Sequence, residues 1–290
     1  MSSVSEGRFP GSAVPLLTPG SSPVSGSAPD SGSARASLLT DDGVRIEAAY
    51  EPCAGAGGTA DGAAGGTAIV IAHGFTGSLG RPALLRAAGA LRRHAAVVTF
   101  SFRGHGGSGG RSTVGDREVL DLAAAVQWAR VLGHRRVVTV GFSMGGSVVL
   151  RHGALYRAGA DAAHADAVVA VSAPARWYYR GTAPMRRLHW MVTRPAGRLV
   201  GRYGFGTRIA RDDWDPVPLA PFAAAGLIAP APLLIVHGDR DPYFPLDHPR
   251  MLAEAAGEGA ELWLEHGMGH AENAADEDLL GRIGDWAVAR

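Results

Sequence analysis

Short apolar stretches rich in Val and Ile recur along the chain, and longer amphipathic stretches separate most of them. The short stretches have the length of strands and are almost continuously hydrophobic, which is typical of strands buried on both faces of a parallel sheet. They occupy residues 68–72, 96–101, 136–141, 167–172, 232–237 and 261–265. The pattern therefore predicts an α/β fold with a mostly parallel central sheet and helices on both faces.

The amphipathic stretches have the length of helices. They occupy residues 81–94, 115–132, 145–159, 246–257 and 272–289. Before the first buried strand, residues 37–40 and 44–50 flank the turn-forming triplet Asp41-Asp42-Gly43. This arrangement predicts a β-hairpin at the start of the globular part.

Three further segments differ from this alternation. Residues 1–36 contain 20 Ser, Gly or Pro, which is too little apolar surface to offset the entropy of ordering, so we expect a disordered tail. Residues 54–67 are almost entirely Gly and Ala and are expected to form a flexible surface loop. The remaining chain, 37–290, has the size of one domain, and its long connection at about 176–228 predicts an inserted cap.

The composition narrows the class of protein. Hydrophobic residues make up 46% of the 290 residues and charged residues 19%, which allows a sizeable core and excludes global disorder. A formal net charge of +1 argues against a nucleic-acid partner. All 28 basic residues are Arg, so Schiff-base and lysine-base chemistry is excluded.

Cysteine content and hydropathy bear on metal binding and on location. Cys53 is the only cysteine, which excludes an internal disulfide and a cysteine-based zinc site. No apolar run approaches the roughly 20 residues that span a bilayer, so we expect no stable membrane insertion. The N-terminal residues lack a secretory pattern, and a cytoplasmic location is expected.

A candidate nucleophile lies between a predicted strand and a predicted helix. The segment is Gly141-Phe142-Ser143-Met144-Gly145, a G-x-S-x-G pattern in the strand–turn–helix context of a nucleophile elbow. The glycines leave room for a strained turn that presents the serine hydroxyl at the edge of the sheet. A glycine-rich turn with an uninvolved serine has the same pattern, but the flanking elements favour Ser143 as a nucleophile.

A base and an acid are expected after Ser143, in the chain order nucleophile, acid, histidine. His270 follows the last predicted strand in a glycine-rich loop, and Asp241 follows the preceding strand. His266 is the second choice for the base, and Asp239 competes with Asp241 or caps a turn. The loop after the predicted strand at 167–172 is another place where the acid could lie. It begins Ala173-Pro174-Ala175 and has no carboxylate, which favours Asp241. The histidines of helices and other loops are expected to be solvated, namely His94, His134, His152, His164, His189 and His248.

An oxyanion formed by attack on a carbonyl needs backbone N–H donors. One is expected from the residue after the nucleophile, which is Met144. The other is expected from the loop after the first buried strand, through the amide of Phe75 in His73-Gly74-Phe75-Thr76. His73 could act as a base, but its place at a strand end favours a buried structural histidine.

These motifs and their order resemble the α/β-hydrolase fold superfamily, in particular compact bacterial serine hydrolases related to esterases, monoacylglycerol lipases and serine aminopeptidase-like enzymes. The resemblance covers about residues 38–290 and rests on His73-Gly74-Phe75-Thr76-Gly77, Phe102-Arg103-Gly104-His105-Gly106-Gly107-Ser108, Gly141-Phe142-Ser143-Met144-Gly145-Gly146, His237-Gly238-Asp239-Arg240-Asp241 and Gly269-His270. It implies an α/β-hydrolase fold with Ser143 as nucleophile, His270 as base and Asp241 as its orienting acid. It also implies an oxyanion hole formed by the Phe75 and Met144 amides.

The chain departs from this family pattern at one position. Relatives often carry Asp two residues before the Arg-Gly-His-Gly run, where this chain has Ser101. That Asp is usually structural, so the difference is expected to affect local stability rather than chemistry. Arg103 and His105 are expected to shape the same loop.

The predicted cap combines aromatic and basic residues. Residues 176–215 contain nine Arg and three Asp. Trp177, Tyr178, Met185 and Trp190 are candidate substrate-binding residues. One interpretation is a lid with an apolar inner face and a basic rim, which would favour acyl substrates with an anionic group. The other is a small lid whose arginines are solvated or paired with acids elsewhere, as charge runs usually are.

The expected reaction is hydrolysis of a carboxylic ester in a small-molecule acyl substrate, through an acyl-enzyme and without a metal or an organic cofactor. The same machinery leaves other bonds open, namely a thioester, an amide or peptide, a carbon–carbon bond, or cofactor-free perhydrolysis. A non-catalytic binding module that retains the fold is a further alternative, although it would predict a broken triad. The sequence does not indicate an oligomeric state.

Overall fold

The computed structural model describes residues 32–54, 66–159 and 161–290. The predicted tail therefore lies outside the described residues up to residue 31, as does most of the predicted loop at 54–67. The first strand, β1 (Ala34–Leu39), includes residues 34–36, which the sequence assigned to the tail. These residues extend the ladder with the next strand, where Ala34 is paired with Tyr50. This pairing uses backbone hydrogen bonds, so a prediction from the Ser, Gly and Pro content of the segment does not detect it.

Eight strands form one sheet in the described part of the chain, in the order β1-β2-β4-β3-β5-β6-β7-β8. The remaining strands are β2 (Arg45–Glu51), β3 (Thr67–Ala72), β4 (Ala96–Phe100), β5 (Arg136–Phe142), β6 (Ala167–Val171), β7 (Leu233–Gly238) and β8 (Ala260–Glu265). The pairs β1–β2 and β2–β4 are antiparallel, and all other pairs are parallel. The predicted hairpin and all six predicted buried strands are present, so the mostly parallel sheet is confirmed.

Helices lie between most of the parallel strands. They are α1 (Pro82–Leu91), α2 (Glu118–Val131), α3 (Met144–Leu155), α4 (Ala183–Thr193), α5 (Pro195–Gly204), α6 (Pro221–Ala225), α7 (Asp247–Ala256), α8 (Ala271–Ala274) and α9 (Glu277–Ala289). The helix predicted at 272–289 is divided into α8 and α9. The division occurs because Asp276 caps α9, where its carboxylate accepts a hydrogen bond from the Leu279 amide (2.9 Å).

Alternate residues of the parallel strands pack into hydrophobic cores on opposite faces of the sheet. In β3, Val70 packs in a core with Leu122 of α2, while Ile71 packs in the other core with Leu84 of α1 and Ile283 of α9. Helices therefore cover both faces, as the hydrophobic pattern predicts. The carboxyl ends of the parallel strands open toward one edge of the sheet, where the loops that follow them can meet.

The connection between β6 and β7 contains α4, α5 and α6, in the range where the sequence predicts an inserted cap, and we call it the cap. Pro195 begins α5 directly after α4, and Arg194 joins the two helices. A side chain on Gly197 would overlap the carbonyl oxygen of Trp190, so this glycine allows α5 to pack closely against α4. Across the described residues, no helix combines the length and the hydropathy needed to cross a membrane.

Candidate active site

Ser143 is the single residue between the end of β5 and the start of α3. Its backbone has φ 53° and ψ −113°, a conformation that is strained for any residue other than glycine. The amide of Ser143 donates a hydrogen bond to the carbonyl oxygen of Val171 at the end of β6 (2.9 Å). The strained turn therefore stands at the carboxyl edge of the sheet and is held by a neighbouring strand.

Two glycines make this turn possible. A Cβ atom on Gly145 would overlap the carbonyl oxygen of Ala72 in β3, and one on Gly141 would overlap the carbonyl oxygen of Gly145. Both obstacles are backbone atoms, so a side-chain rearrangement could not relieve the overlap. Glycine is therefore required at both glycine positions of the G-x-S-x-G pattern.

The structure brings Ser143, His270 and Asp241 together in one hydrogen-bonded chain. The hydroxyl of Ser143 donates to Nε2 of His270 (2.8 Å), and Nδ1 of His270 donates to Oδ2 of Asp241 (2.7 Å). A basic imidazole nitrogen thus faces the serine hydroxyl, and a carboxylate holds the opposite nitrogen. Nucleophilic catalysis by serine needs this relation between the three groups.

The Asp241 side chain is buried, and protein groups stabilise its charge. Its Oδ1 accepts hydrogen bonds from the amides of Tyr243 (2.8 Å) and Phe244 (3.2 Å). Burial alone raises the pKa of this carboxyl. The hydrogen bond and charge of His270, together with the Tyr243 amide, outweigh burial and hold the pKa below its ordinary value. Asp241 is therefore a carboxylate at neutral pH and fixes the proton of His270 on Nδ1.

A second Asp–His pair lies nearby but faces solvent. Oδ2 of Asp239 lies 2.8 Å from Nδ1 of His266, and Oδ1 of Asp239 accepts a hydrogen bond from the Gly267 amide (2.7 Å). The His266 side chain is 88% exposed. The geometry thus separates the two pairs that the sequence left in competition, because only the pair of His270 and Asp241 reaches Ser143.

Contacts that the sequence did not indicate hold His270 in place. The ring of Tyr243 stacks on the imidazole, with centroids 4.2 Å apart and planes inclined by 28°. On the other side of the base, the amide of Ala271 donates a hydrogen bond to the hydroxyl of Ser172 (3.1 Å). Tyr243 could have been noticed only as an aromatic residue two positions after the acid, which is a weak signal.

Met144 and Phe75 line the same cavity as Ser143. Met144 is the first residue of α3, where the backbone amides have no acceptor within the helix. The Phe75 amide likewise donates no hydrogen bond within the described part of the chain. Two residues whose amides have no backbone acceptor in the described part of the chain therefore line the same cavity as Ser143.

Glu272 is a buried carboxylate next to this loop, and sequence reasoning missed it. It is 7% exposed, and its Oε1 accepts a hydrogen bond from the Gly74 amide (3.1 Å). Arg86 of α1 donates to the backbone carbonyl of Glu272 (2.5 Å). Its place two residues after His270 was visible in the sequence, but the distant partner Gly74 was not.

His73 is fully buried and makes two hydrogen bonds. Its Nδ1 donates to the Gly74 carbonyl oxygen (2.7 Å), and its Nε2 accepts from the Phe102 amide (3.0 Å). Burial lowers its pKa to about 3, so the ring is neutral. These contacts fit the structural interpretation of His73 rather than a role as base.

The expectation that the remaining histidines are solvated is wrong for three of them. His134, His152 and His248 are buried. Helical and loop positions do not imply exposure, because a neutral imidazole packs as an aromatic ring. His152 stacks on Tyr156 at 4.6 Å, and His248 contacts Tyr179 at 4.5 Å.

A carboxylate from another strand reaches the position where relatives carry Asp. The hydroxyl of Ser101 donates to Oε1 of Glu47 in β2 (2.7 Å), and the same oxygen accepts from the Gly107 amide (2.8 Å). Arg103 is buried between the carboxylates of Asp121 and Asp42. Glu47 and Arg103 thus brace this loop from within the fold.

A cavity of about 430 Å³ opens beside Ser143 under the cap. Three of the candidate substrate-binding residues, Trp177, Tyr178 and Met185, line it. Its other lining residues are mostly apolar and include Leu188, Val192, Ile209 and Trp214. The size and lining fit an apolar portion of a small molecule.

The fourth candidate, Trp190, lies apart from this cavity. Trp190 lies on the outer side of α4, is 48% exposed and does not line the cavity. The helical period explains the difference. Met185, Leu188 and Val192 share the face that turns inward, whereas Trp190 is rotated well away from it.

The rim of the cavity is not uniformly basic. Arg176 and Arg180 line it, but so do Asp212 and Asp213. Arg176 is also paired with Asp247 (2.5 Å). Most of the arginines of the cap therefore do not face the cavity. Within the described part of the chain, no group of three His, Cys, Asp or Glu side chains is arranged to hold a metal ion.

Comparison with known proteins gives a family and a curated relative. The alpha/beta hydrolase family matches residues 69–280, which is more than half of the chain. The monoacylglycerol lipase of Mycolicibacterium smegmatis is 26% identical over 267 residues, covering 76% of this chain and 88% of the lipase.

Solved structures share the architecture. An esterase of Pyrococcus furiosus superposes with a TM-score of 0.66 at 22% identity, covering 88% of this chain and 91% of the esterase. A serine hydrolase of Xanthomonas campestris described as having no lid superposes with a TM-score of 0.59 at 20% identity, covering 91% and 97% of the two chains. Likeness at these identities shows the fold.

Proposed function

The chain belongs to the alpha/beta hydrolase family, and on that premise we propose that it hydrolyses carboxylic esters with Ser143 as nucleophile. The observation that carries the proposal is the hydrogen-bonded chain from Ser143 through His270 to Asp241, with Ser143 in the lining of an apolar cavity. Backbone strain of the kind found at Ser143 is typical of functional sites, which favours catalysis over a non-catalytic binding module.

Attack on the ester begins with a proton transfer. Nε2 of His270 takes the proton of the Ser143 hydroxyl while the oxygen attacks the ester carbonyl. Asp241 keeps the other proton on Nδ1 and stabilises the imidazolium that forms. The stacked ring of Tyr243 limits rotation of the imidazole during this transfer.

The amides of Phe75 and Met144 donate hydrogen bonds to the carbonyl oxygen and stabilise the negative charge that develops on it. Both amides are free to donate and are held by backbone, so they need no reorganisation when the charge appears. Losing one such donor typically costs about 3–4 kcal/mol of transition-state stabilisation. His270 then protonates the departing alcohol, which leaves an acyl group on Ser143.

Water then hydrolyses the acyl-enzyme, with His270 again acting first as base and then as acid. His270 takes a proton from water as the water oxygen attacks the acyl carbonyl, and the same two amides hold the second oxyanion. The proton returns to Ser143 when the acid leaves. Each of these proposed steps uses only groups of this chain, the ester and water.

The apolar lining of the cavity favours esters with an apolar acyl chain. Met185, Leu188 and Val192 present hydrocarbon side chains toward the space beside Ser143. The curated relative acts, by its name, on monoacylglycerol, which joins one acyl chain to a polar alcohol. A single-chain ester of this type fits a cavity with an apolar interior and a polar rim.

The experiment is a comparison of ester hydrolysis by matched variants. We expect the wild type to hydrolyse p-nitrophenyl esters and a monoacylglycerol, and His270→Ala to lose at least about 1,000-fold in kcat. His266→Ala is the control, because it removes an exposed imidazole from the neighbouring pair, and it should keep nearly full activity. Equal loss in both variants, or no ester turnover by the wild type, would contradict the proposal.

A further inference from the structure

The outer surface of the cap carries apolar and basic side chains that the cavity does not use. We call this the outer cap surface and define it by Arg187, Trp190, Arg194, Leu199, Arg202 and Tyr203. Trp190, Leu199 and Tyr203 are 48%, 58% and 77% exposed. None of the six lines the cavity. The proposed reaction therefore leaves this exposed apolar area without an explanation.

The spacing of these residues gives each helix an outward face. In α4, Arg187 and Trp190 are three residues apart, which places them on one side of the helix, and Arg194 follows at the junction with α5. In α5, Leu199 and Tyr203 are four residues apart and lie opposite the glycines that pack against α4. Two adjacent helices thus expose mixed apolar and basic faces.

The charge of this part of the chain is unbalanced. Residues 176–211 contain nine Arg and no Asp or Glu. The rest of the chain consequently has 19 Arg against 27 acidic residues. The nearly neutral total therefore divides into a basic cap segment and an acidic remainder. A large anionic surface would attract the first and repel the second.

The acidic residues that follow this segment in the chain are not paired with the outer cap surface. Asp212 and Asp213 line the cavity, which none of the six residues of that surface does. Neither Arg187 nor Arg194 has a side-chain hydrogen bond or ion pair with another residue in the described ranges. Arg202 lies over the ring of its neighbour Tyr203 at 5.4 Å. These guanidinium groups are available to an external anion.

We propose that the outer cap surface docks on a lipid bilayer rich in anionic phospholipid. The arginines would contact phosphate groups, while Trp190, Leu199 and Tyr203 would enter the boundary between headgroups and acyl chains. Arg-rich helices with Trp, Leu and aromatic side chains are the type that binds in this plane. Docking of this kind lies in the interface and needs no helix that spans the membrane.

Other anionic or apolar partners fit the surface less well. A symmetric contact with a second copy would set the arginines of one cap against those of the other, which is repulsive. A nucleic-acid backbone would satisfy the arginines but would gain nothing from Leu199. A bilayer uses both kinds of side chain at once.

The position of the surface gives the docking a consequence for the site. The inner face of α4 lines the cavity beside Ser143, and the outer face of the same helix would contact the bilayer. A docked molecule would thus hold the helix that lines its cavity at a lipid surface. The docking itself does not depend on the proposed hydrolysis.

The test measures, by flotation, how tightly the full chain binds to vesicles. The chain carries the Ser143→Ala substitution so that it hydrolyses no lipid during the measurement. Vesicles of phosphatidylcholine alone are compared with vesicles that also contain phosphatidylglycerol. We expect at least about tenfold tighter partitioning to the anionic vesicles, weakening as salt is raised. The double variant Leu199→Ser/Tyr203→Ser should also bind at least about tenfold more weakly, because its apolar anchors are lost.

A matched pair of triple variants separates this surface from total charge. Arg187→Gln/Arg194→Gln/Arg202→Gln should lose at least about tenfold in partitioning. Arg35→Gln/Arg135→Gln/Arg250→Gln removes the same charge from exposed positions outside the cap and should bind like the parent. When the chain retains Ser143, all of these variants should hydrolyse a water-soluble ester at the wild-type rate, since none of the substituted residues lines the cavity.

Three outcomes would overturn the inference. They are absence of vesicle binding, equal binding to the two kinds of vesicle, and equal loss in the two triple variants. A chain that dimerises through Leu199 and Tyr203 without binding vesicles would assign the surface to self-association instead. Failure of the proposed hydrolysis would appear separately, as a lack of ester turnover in a chain that still binds anionic vesicles.

Discussion

Glu272 accepts a hydrogen bond from the amide of Gly74 at 3.1 Å, although the two residues are 198 positions apart. Gly74 precedes Phe75, whose amide is the proposed oxyanion donor, and Glu272 follows His270, the proposed base, by two residues. The bond therefore ties the loop that carries His270 to the loop that carries Phe75. It couples the position of the proposed base to that of one proposed oxyanion donor.

The first prediction concerns this bond. Glu272→Ala leaves the buried Gly74 amide without an acceptor and is expected to lower kcat about tenfold to a hundredfold, with little change in KM. Glu272→Gln retains an acceptor oxygen and should recover most of the rate. Steady-state kinetics on a p-nitrophenyl ester measures both. Equal losses in the two variants would show that the carboxylate acts in another way.

The second prediction concerns the glycine that follows the nucleophile. Gly145→Ala places a Cβ atom against the carbonyl oxygen of Ala72 and is expected to destabilise the fold by at least about 3 kcal/mol. Gly89→Ala in α1 is the control, because its Cβ would meet open space. It should stabilise the fold by about 0.5–1 kcal/mol. Urea unfolding measures both, and a Gly145→Ala chain as stable as the wild type would disprove the steric argument.

The third prediction concerns acid stability and His152. Burial lowers the pKa of His152 to about 3, and its ring stacks on that of Tyr156 with centroids 4.6 Å apart. The unfolded chain takes up a proton near the ordinary histidine value of about 6.5, while the folded chain does not. Between these two values this residue therefore costs about 1.4 kcal/mol of stability for each unit that the pH falls.

His152→Phe removes the titrating group and keeps an aromatic ring beside Tyr156. The free energy of unfolding of this variant minus that of the wild type is expected to be about 2 kcal/mol larger at about pH 5 than at about pH 7.5. Tyr156→Phe is the control, because it alters the other ring of the stacked pair and removes no group that titrates between these pH values: the pKa of Tyr156 is raised to about 12, chiefly by burial. It should leave the pH dependence unchanged. Urea unfolding at the two pH values decides, and a His152→Phe difference that is the same at both would refute the prediction.

The fourth prediction concerns the length of the acyl chain. Met185→Trp places a larger ring in the cavity, so kcat/KM for a decanoate ester should fall at least about tenfold relative to an acetate ester. Trp190→Ala changes the outer face of the same helix and should leave that ratio unaltered. Rates on a p-nitrophenyl ester series check both. If the Trp190 variant shifts the ratio as much as the Met185 variant, the cavity has been placed on the wrong face of α4.

Local sequence patterns were sufficient for the sheet and for Ser143, because both leave a signature within a few residues. A buried strand is a run of apolar residues, and a nucleophile elbow needs its two glycines at fixed spacing. His270 and Asp241 were indicated by their places after successive strands. The choice between Asp241 and Asp239 depends on three-dimensional proximity, which adjacent positions do not reveal.

The features that the sequence did not predict depend on contacts between distant segments. The bond from Gly74 to Glu272 and the carboxylate that Glu47 contributes beside Ser101 each join different elements. Burial of His152 follows from the packing of α3 and not from its neighbours in the chain. The aromatic composition of the cap makes Trp190 a candidate for substrate binding, whereas the helical period of α4 indicates a position outside the cavity.

Covalent labelling of Ser143 tests the central claim most directly. The chain is treated with a fluorophosphonate probe, and the modified peptide is identified by mass spectrometry. We expect one adduct, on Ser143, with no labelling of Ser143→Ala and at least about a hundredfold slower labelling of His270→Ala. Absence of an adduct on the wild type, or unchanged labelling of Ser143→Ala, would contradict the assignment of Ser143 as the nucleophile.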